Sequence, residues 1–201
     1  MGGKVPRAMQ PKKAKSAPNA FTFPFPVFDP LLHSAHLFPR LAAQRMTLGN
    51  LLSVDQIIPE MTATERWSAI VELVELLVER GQIKKADREV VLAALRQREE
   101  TMSTGIGFGI AIPHASSDRV DQVVAAFGRS SSGIEFDSLD NAPVRFIVLF
   151  VVPKDQFQTH LRTLAAIAKF LNDRAVRERL GNATSAEEIL GIFESTATAK
   201  A

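Results

Sequence analysis

The stretch Val144-Arg-Phe-Ile-Val-Leu-Phe-Val-Val152 limits the possible folds of this chain more than any other feature, being apolar at every position but Arg145. Its β-branched and aromatic residues read as a strand, and the lack of polar alternation leaves neither face for water. A strand buried on both faces requires helices over each side of its sheet. Val123 to Phe127 predict a second strand. No apolar run approaches the ~20 residues needed to cross a bilayer, so the chain is not expected to insert in a membrane.

Helical patterns surround these strands. Thr62 or Thr64 can cap a helix whose apolar positions Trp67, Ile70, Val71, Val74, Leu77 and Val78 follow the 3.6-residue period, with Gly81 at its end. A second helix is predicted over Asp87 to Glu99, with Val90, Val91, Ala94 and Leu95 on its buried face. Asp155 opens a third, with Leu161, Leu164, Ile167, Ala168 and Leu171 on one side. Ser185 and Glu188 form a capping box for the last, which carries Ile189, Ile192 and Phe193. The expected architecture is α/β: a single domain with a central mixed β-sheet flanked by helices, and no internal repeat.

Charge is unevenly spread. Residues 1–45 hold seven Lys or Arg against the single acid Asp29, a net +6, while the remaining residues sum to −4. The basic pI therefore belongs to a tail. Lys, Pro, Ala and Gly dominate its first part, and Phe21-Thr-Phe-Pro-Phe-Pro-Val-Phe28 is too proline-broken for a helix or a signal-peptide core. The expected organisation is a disordered tail over 1–45, a domain over 46–196 and a short end over 197–201, with Met46 an alternative start. The mildly acidic body lacks the clustered cations and aromatic platforms of a nucleic-acid groove. Zero cysteine excludes disulfides, thiolate metal sites and cysteine nucleophiles.

Three alternating glycines lead into Gly105-Ile-Gly-Phe-Gly-Ile-Ala-Ile-Pro-His114. A dinucleotide fingerprint starting at Gly105 would need glycine where Ile110 stands, and the loop precedes a strand instead of opening a helix. No Gly-x-Ser-x-Gly elbow is present. What remains is His114, held at a strand end by Pro113. Amides at Gly105, Gly107 and Gly109 could form an anion-holding nest, with hydroxyls from Ser103 and Thr104 added. Arg98, at a helix end, could grip phosphate oxygens, and His160 falls in the first turn of a later helix, where free amides favour an anion. Each has a plainer reading as turn, cap or solvated helix end; together they suggest a phosphate site.

The segment Arg98-Glu-Glu-Thr-Met-Ser-Thr-Gly-Ile-Gly-Phe-Gly-Ile-Ala-Ile-Pro-His-Ala115 resembles the signature of the fructose–mannitol type of enzyme IIA, the phosphocarrier domain of the phosphoenolpyruvate-dependent sugar phosphotransferase system. Nitrogen-regulatory IIA proteins share it. The likeness continues through Ile134 to Asn141, Val151-Val-Pro153 and Thr159-His-Leu161, covering about residues 47–195. It implies a phosphotransferase in which His114 carries the phosphoryl group, His160 is the second active-site histidine and Arg98 grips the phosphate. One departure is Phe108, where the family commonly has Asn or Glu. The resemblance implies no metal and no cofactor, an HPr-like phosphohistidine donor, and either a IIB acceptor or a regulated target protein. It also implies a cytoplasmic setting. With no IIB or IIC part in the chain, sugar uptake in trans and regulation both stay open, with a slight lean to regulation.

A chain starting at Met46 is expected to fold, to keep its melting temperature within a few degrees and to take phosphate normally, because lysine-rich, proline-broken sequence builds no packed element. Circular dichroism melts and light scattering on both lengths check it. If Phe21 to Phe28 docks on the body or on a second copy, the shorter chain melts early or aggregates.

Overall fold

The computed structural model describes residues 2 and 50–198, with the backbone alone for 157–160 and 196–198. The expected tail over 1–45 and the alternative start at Met46 lie outside the described residues. The elements run β1 (Ile57–Ile58), α1 (Arg66–Glu79), α2 (Arg88–Thr101), β2 (Gly105–Gly107), β3 (Ile110–Ala111), β4 (His114–Ser117), β5 (Val124–Ile134), β6 (Val144–Pro153), α3 (Phe157–Leu171), α4 (Arg174–Asn182) and α5 (Ala186–Thr198). Helix α5 thus continues two residues past the expected boundary at 196.

The sheet is mixed, in the order β1-β5-β6-β3-β2, with β4 continuing β3 along the same edge of β6. β5 and β6 pair antiparallel at its centre, while β3 and β4 run parallel to β6. The expected two-sided burial of β6 is observed. Ile147, Leu149 and Val151 face a core built with Ile70, Leu73 and Leu77 of α1 and Val91, Leu92 and Leu95 of α2. Phe146, Val148 and Phe150 face a second core with Ile167 and Leu171 of α3, Leu180 of α4 and Ile189 and Phe193 of α5. Strand alternation divides one apolar run between two helical layers. In the second core Phe193 meets Phe127 edge-on, with ring centroids 5.2 Å apart.

Helix ends differ in detail from the sequence expectations. Gly81, at φ +68°, ends α1 as expected: its N–H donates to the Val78 carbonyl and that of Gln82 to the Leu77 carbonyl. The N-cap is Glu65 and not Thr62 or Thr64. Glu65 pairs with Glu135 in a parallel bridge, and Glu135 N–H donates to the Thr64 carbonyl, so the backbone is extended until Arg66. On α2 the buried stripe is Val91, Leu92, Leu95 and Glu99, and Val90 is exposed. Packing across β4 turns the helix by about one residue from the expected face. Leu161 of α3 is exposed too. Helix α3 begins at Phe157 after a single tight turn over Lys154–Gln156, later than Asp155. The Ser185 hydroxyl accepts the Glu188 N–H, and the Glu188 carboxylate also accepts the N–H and hydroxyl of Thr184.

Strand β5 extends well past the expected Phe127. The Gly-Arg-Ser-Ser-Ser-Gly stretch that follows is polar, yet Gly128 and Arg129 stay in register with Ile147 and Phe146. A Cβ on Gly128 would collide with Met61, so this glycine is there for a close approach. Phe127→Ala removes a fully buried ring from the sheet–α5 contact and is expected to cost about 3–5 kcal/mol of stability, measured by urea unfolding.

Candidate functional site

His114 opens β4 directly after Pro113, whose carbonyl accepts the Phe150 N–H at 2.9 Å. That bond, with the pairing of His114 and Phe150, sets the histidine beside the end of β6. His114 and Ser116 point to one side of the strand and are half-buried, whereas Ala115 and Ser117 are buried on the other. Arg98 comes from the last turn of α2. A shallow groove of about 310 Å³ runs between Gln97, Arg98 and Thr101 of α2 and His114 and Ser116 of β4.

The two rings of contact around His114 define its chemistry. Nδ1 lies 2.8 Å from the Ile112 carbonyl oxygen, which can only accept, so Nδ1 carries the proton. Nε2 then presents its lone pair and accepts from Arg98 Nε–H at 3.3 Å. Arg98 Nη1 donates to the Met102 carbonyl at 2.9 Å, which ties the guanidinium to the helix end. Burial lowers the His114 pKa from its ordinary value, and the Arg98 charge lowers it further; the Ile112 carbonyl and the Glu99 charge act in the opposite direction. The imidazole is therefore neutral at neutral pH, as a nitrogen nucleophile must be.

The other sequence-predicted donors are placed differently. Ser103 Oγ donates to the Phe136 carbonyl at 2.8 Å and accepts the Gly105 N–H. Thr104 is buried, and both its N–H and its hydroxyl donate to Glu99. Gly105, Gly107 and Gly109 belong to the β2–β3 hairpin, and its central amide, Phe108 N–H, donates to the Asp140 carboxylate at 2.7 Å. Gly107 and Gly109 have positive φ, as does Phe108 between them. Gly105 is needed for space: a Cβ there would approach Ser138 Cα to 2.9 Å. In this hairpin the donors at Ser103, Thr104, Gly105 and Phe108 are engaged within the protein. His160 lies in the first turn of α3, and its side chain is outside the described residues.

Phe108, where the chain departs from the family pattern, is not beside His114. Ile110 pairs with Phe146 and His114 with Phe150, four steps along β6 or about 13 Å. Its exposed ring lies 5.3 Å from the Arg177 guanidinium, in a separate cleft with Arg145 and Arg174. Sequence reading did not single out Gln97, Thr101 or Ser116 as groove residues. The signals were there: Gln97 and Thr101 are one helical turn apart and flank Arg98, and Ser116 shares His114's face by the two-residue strand period.

A family model, "Phosphoenolpyruvate-dependent sugar phosphotransferase system, EIIA 2", matches residues 50–196, and the chain belongs to that family. A fructose-specific EIIA component from Haloferax volcanii is 39% identical over 146 residues, covering 73% of this chain and 94% of the relative. A nitrogen regulatory protein from Bradyrhizobium diazoefficiens is 30% identical over 149 residues, covering 74% and 95%. Among solved structures, the nitrogen regulatory protein IIA-Ntr from Neisseria meningitidis superposes with a TM-score of 0.66 at 32% identity, covering 73% of this chain and 98% of that one. Domains of this family take part in phosphoryl transfer, so the chain is a phosphotransferase in general terms, with relatives in both a sugar and a regulatory branch. Among the described residues no helix is long and apolar enough to cross a membrane.

A histidine whose folded pKa is depressed stabilises the fold above its unfolded pKa of about 6.5, and that contribution is lost as pH falls through the folded value. NMR titration is expected to place the His114 midpoint below that of a free histidine. Arg98→Gln is expected to move it upward, because the guanidinium charge lowers it. An unmoved midpoint in the variant would contradict the electrostatic pairing.

Proposed function

We propose that the chain is a phosphocarrier that takes a phosphoryl group on His114 Nε2 from an HPr-like phosphohistidine protein and passes it to a IIB domain in fructose- or mannitol-type sugar uptake. The observation that carries this reading is the pairing of a neutral Nε2 with Arg98 Nε–H at 3.3 Å, beside an open groove, with Nδ1–H held on the Ile112 carbonyl. The Nε2 lone pair attacks phosphorus in line while the donor's N–P bond breaks, and the bonding pair returns to the donor imidazole. Nδ1 keeps its proton, and the positive charge that develops on the ring is eased by the Ile112 carbonyl. Arg98 then turns from Nε2 to the equatorial oxygens, because phosphoryl transfer asks a protein mainly for positioning and charge stabilisation. In this reading His160 supplies a second contact to the phosphoryl group, no metal or cofactor takes part, and the protein works in the cytoplasm. The domain in this reading begins at 46 and closes with α5.

The nitrogen-regulatory relatives support a second reading, in which the same phosphorylation switches the binding of target proteins. Phosphorylation with phosphoenolpyruvate, enzyme I and HPr, followed by addition of IIB domains, separates the two: discharge to IIB supports transport, and phosphate-dependent capture of a target without discharge supports regulation.

His114→Ala is expected to abolish acid-labile phosphate uptake, read by intact mass as one phosphate on the wild type and none on the variant. Arg98→Ala is expected to slow transfer roughly 100- to 1,000-fold without abolishing it, as for the loss of one charge-stabilising contact. Full labelling of His114→Ala would move the site, and a wild-type rate for Arg98→Ala would reduce that side chain to a helix-end cation.

A further inference from the structure

We infer that Glu99 is a positioning residue, which holds His114 and Arg98 in their mutual geometry through a closed circuit of hydrogen bonds. The geometry stands by itself; its consequence for rate rests on the phosphocarrier reading above.

The circuit is continuous. Glu99 Oε1 accepts the Thr104 N–H at 2.9 Å, and Oε2 accepts the Thr104 hydroxyl at 2.7 Å. The Thr104 carbonyl accepts the Ile112 N–H at 3.0 Å. The Ile112 carbonyl accepts His114 Nδ1–H at 2.8 Å, and His114 Nε2 accepts Arg98 Nε–H at 3.3 Å. Arg98 and Glu99 are joined by a peptide bond, which closes the ring. Glu99, Thr104 and Ile112 are 6%, 3% and 6% exposed, so water does not compete for these bonds.

A buried carboxylate is retained only where its oxygens are satisfied. Here the carboxylate spans the turn between the end of α2 at Thr101 and the start of β2 at Gly105, so it fixes how the helix end meets the hairpin. Arg66, 4.0 Å from Glu99 and 3.2 Å from Asp137, offsets its charge from α1. Two donors of Thr104 converge on Glu99, and only a carboxylate offers an acceptor on both oxygens. A glutamine would keep an acceptor for the N–H but turn its amide donor to the hydroxyl, which must then accept, so the charge-assisted bonds are lost. Thr104, a phosphate ligand in the sequence reading, becomes a strut in this account. Its carbonyl places Ile112, and Ile112 selects the His114 tautomer whose Nε2 lone pair faces Arg98. Glu99 touches neither the reacting nitrogen nor the phosphoryl group, and acts through Thr104 and Ile112.

The test compares Glu99→Gln, Thr104→Val and Thr104→Ser with the wild-type full chain. Long-range ¹H–¹⁵N spectra read the His114 tautomer, and acid-labile phosphate uptake is timed against the concentration of phosphorylated HPr. Glu99→Gln is expected to populate the Nε2–H tautomer and to slow transfer at saturating donor on the order of 100-fold, with the half-saturating donor concentration unchanged. Thr104→Val is expected to behave alike, and Thr104→Ser, which keeps the hydroxyl, to recover most of the rate. A folded Glu99→Gln protein with wild-type tautomer and rate overturns the inference. If circular dichroism shows that Glu99→Gln does not fold, the threonine pair decides, and equal tautomers and rates in Val and Ser overturn it. If the wild type takes no phosphate, the phosphocarrier reading fails. The tautomer still judges the circuit: its change in Glu99→Gln supports positioning, and its retention overturns it.

Discussion

Everything in this domain depends on burying β6 from both sides. Ile147, Leu149 and Val151 require one apolar layer, and Phe146, Val148 and Phe150 require another. Neither helical layer has a core without the sheet. At about 1.5–3 kcal/mol for each fully buried large side chain, the two sets of three make this strand a main source of stability. The same strand positions the site. Because β4 runs parallel to β6 with His114 opposite Phe150, the histidine is anchored beside a strand buried at nearly every position.

On that support, the local electrostatics are arranged around a neutral imidazole. Half-burial and the neighbouring guanidinium both disfavour a protonated ring, while the Ile112 carbonyl holds the Nδ1 proton. On the proposed reading, this arrangement would let the ring accept and release a phosphoryl group without moving a proton. Arg98 is held in turn by the Met102 carbonyl, so the cation that lowers the ring's basicity is already close to where negative charge would arrive. The groove lies open between α2 and β4.

Membership of the EIIA type-2 family accounts for the fold and for the signature from Arg98 to His114. The chain is similar both to a fructose-specific EIIA component and to a nitrogen regulatory protein, so the fold alone does not choose between those two branches. Phe108 is a difference at a hairpin tip and not at the histidine. Its N–H donates to Asp140 and its ring packs near Arg177, so it changes a surface in a different cleft from the His114 groove.

Much of this was legible in the sequence, because periodicity and backbone restriction act locally. The unbroken apolar run of β6 required a covered sheet, the helical stripe of α1 and the stop at Gly81 followed from 3.6-residue spacing and a left-handed cap, and Pro113 marked His114 as a strand-end residue. The motif also paired Arg98 with His114, sixteen positions apart. Tertiary structure decided what depends on partners distant in sequence. Glu65 replaced the threonines as cap because Glu135 draws the preceding backbone into a bridge. Strand β5 ran on through a polar, glycine-bearing stretch because β6 supplied its hydrogen-bond partners and Met61 filled the space that Gly128 leaves. The hydroxyls of Ser103 and Thr104 meet the Phe136 carbonyl and the Glu99 carboxylate, partners that no local pattern points to. A sequence shows which groups can donate a hydrogen bond, whereas the acceptor each one meets is set by the packing of elements that local spacing does not relate.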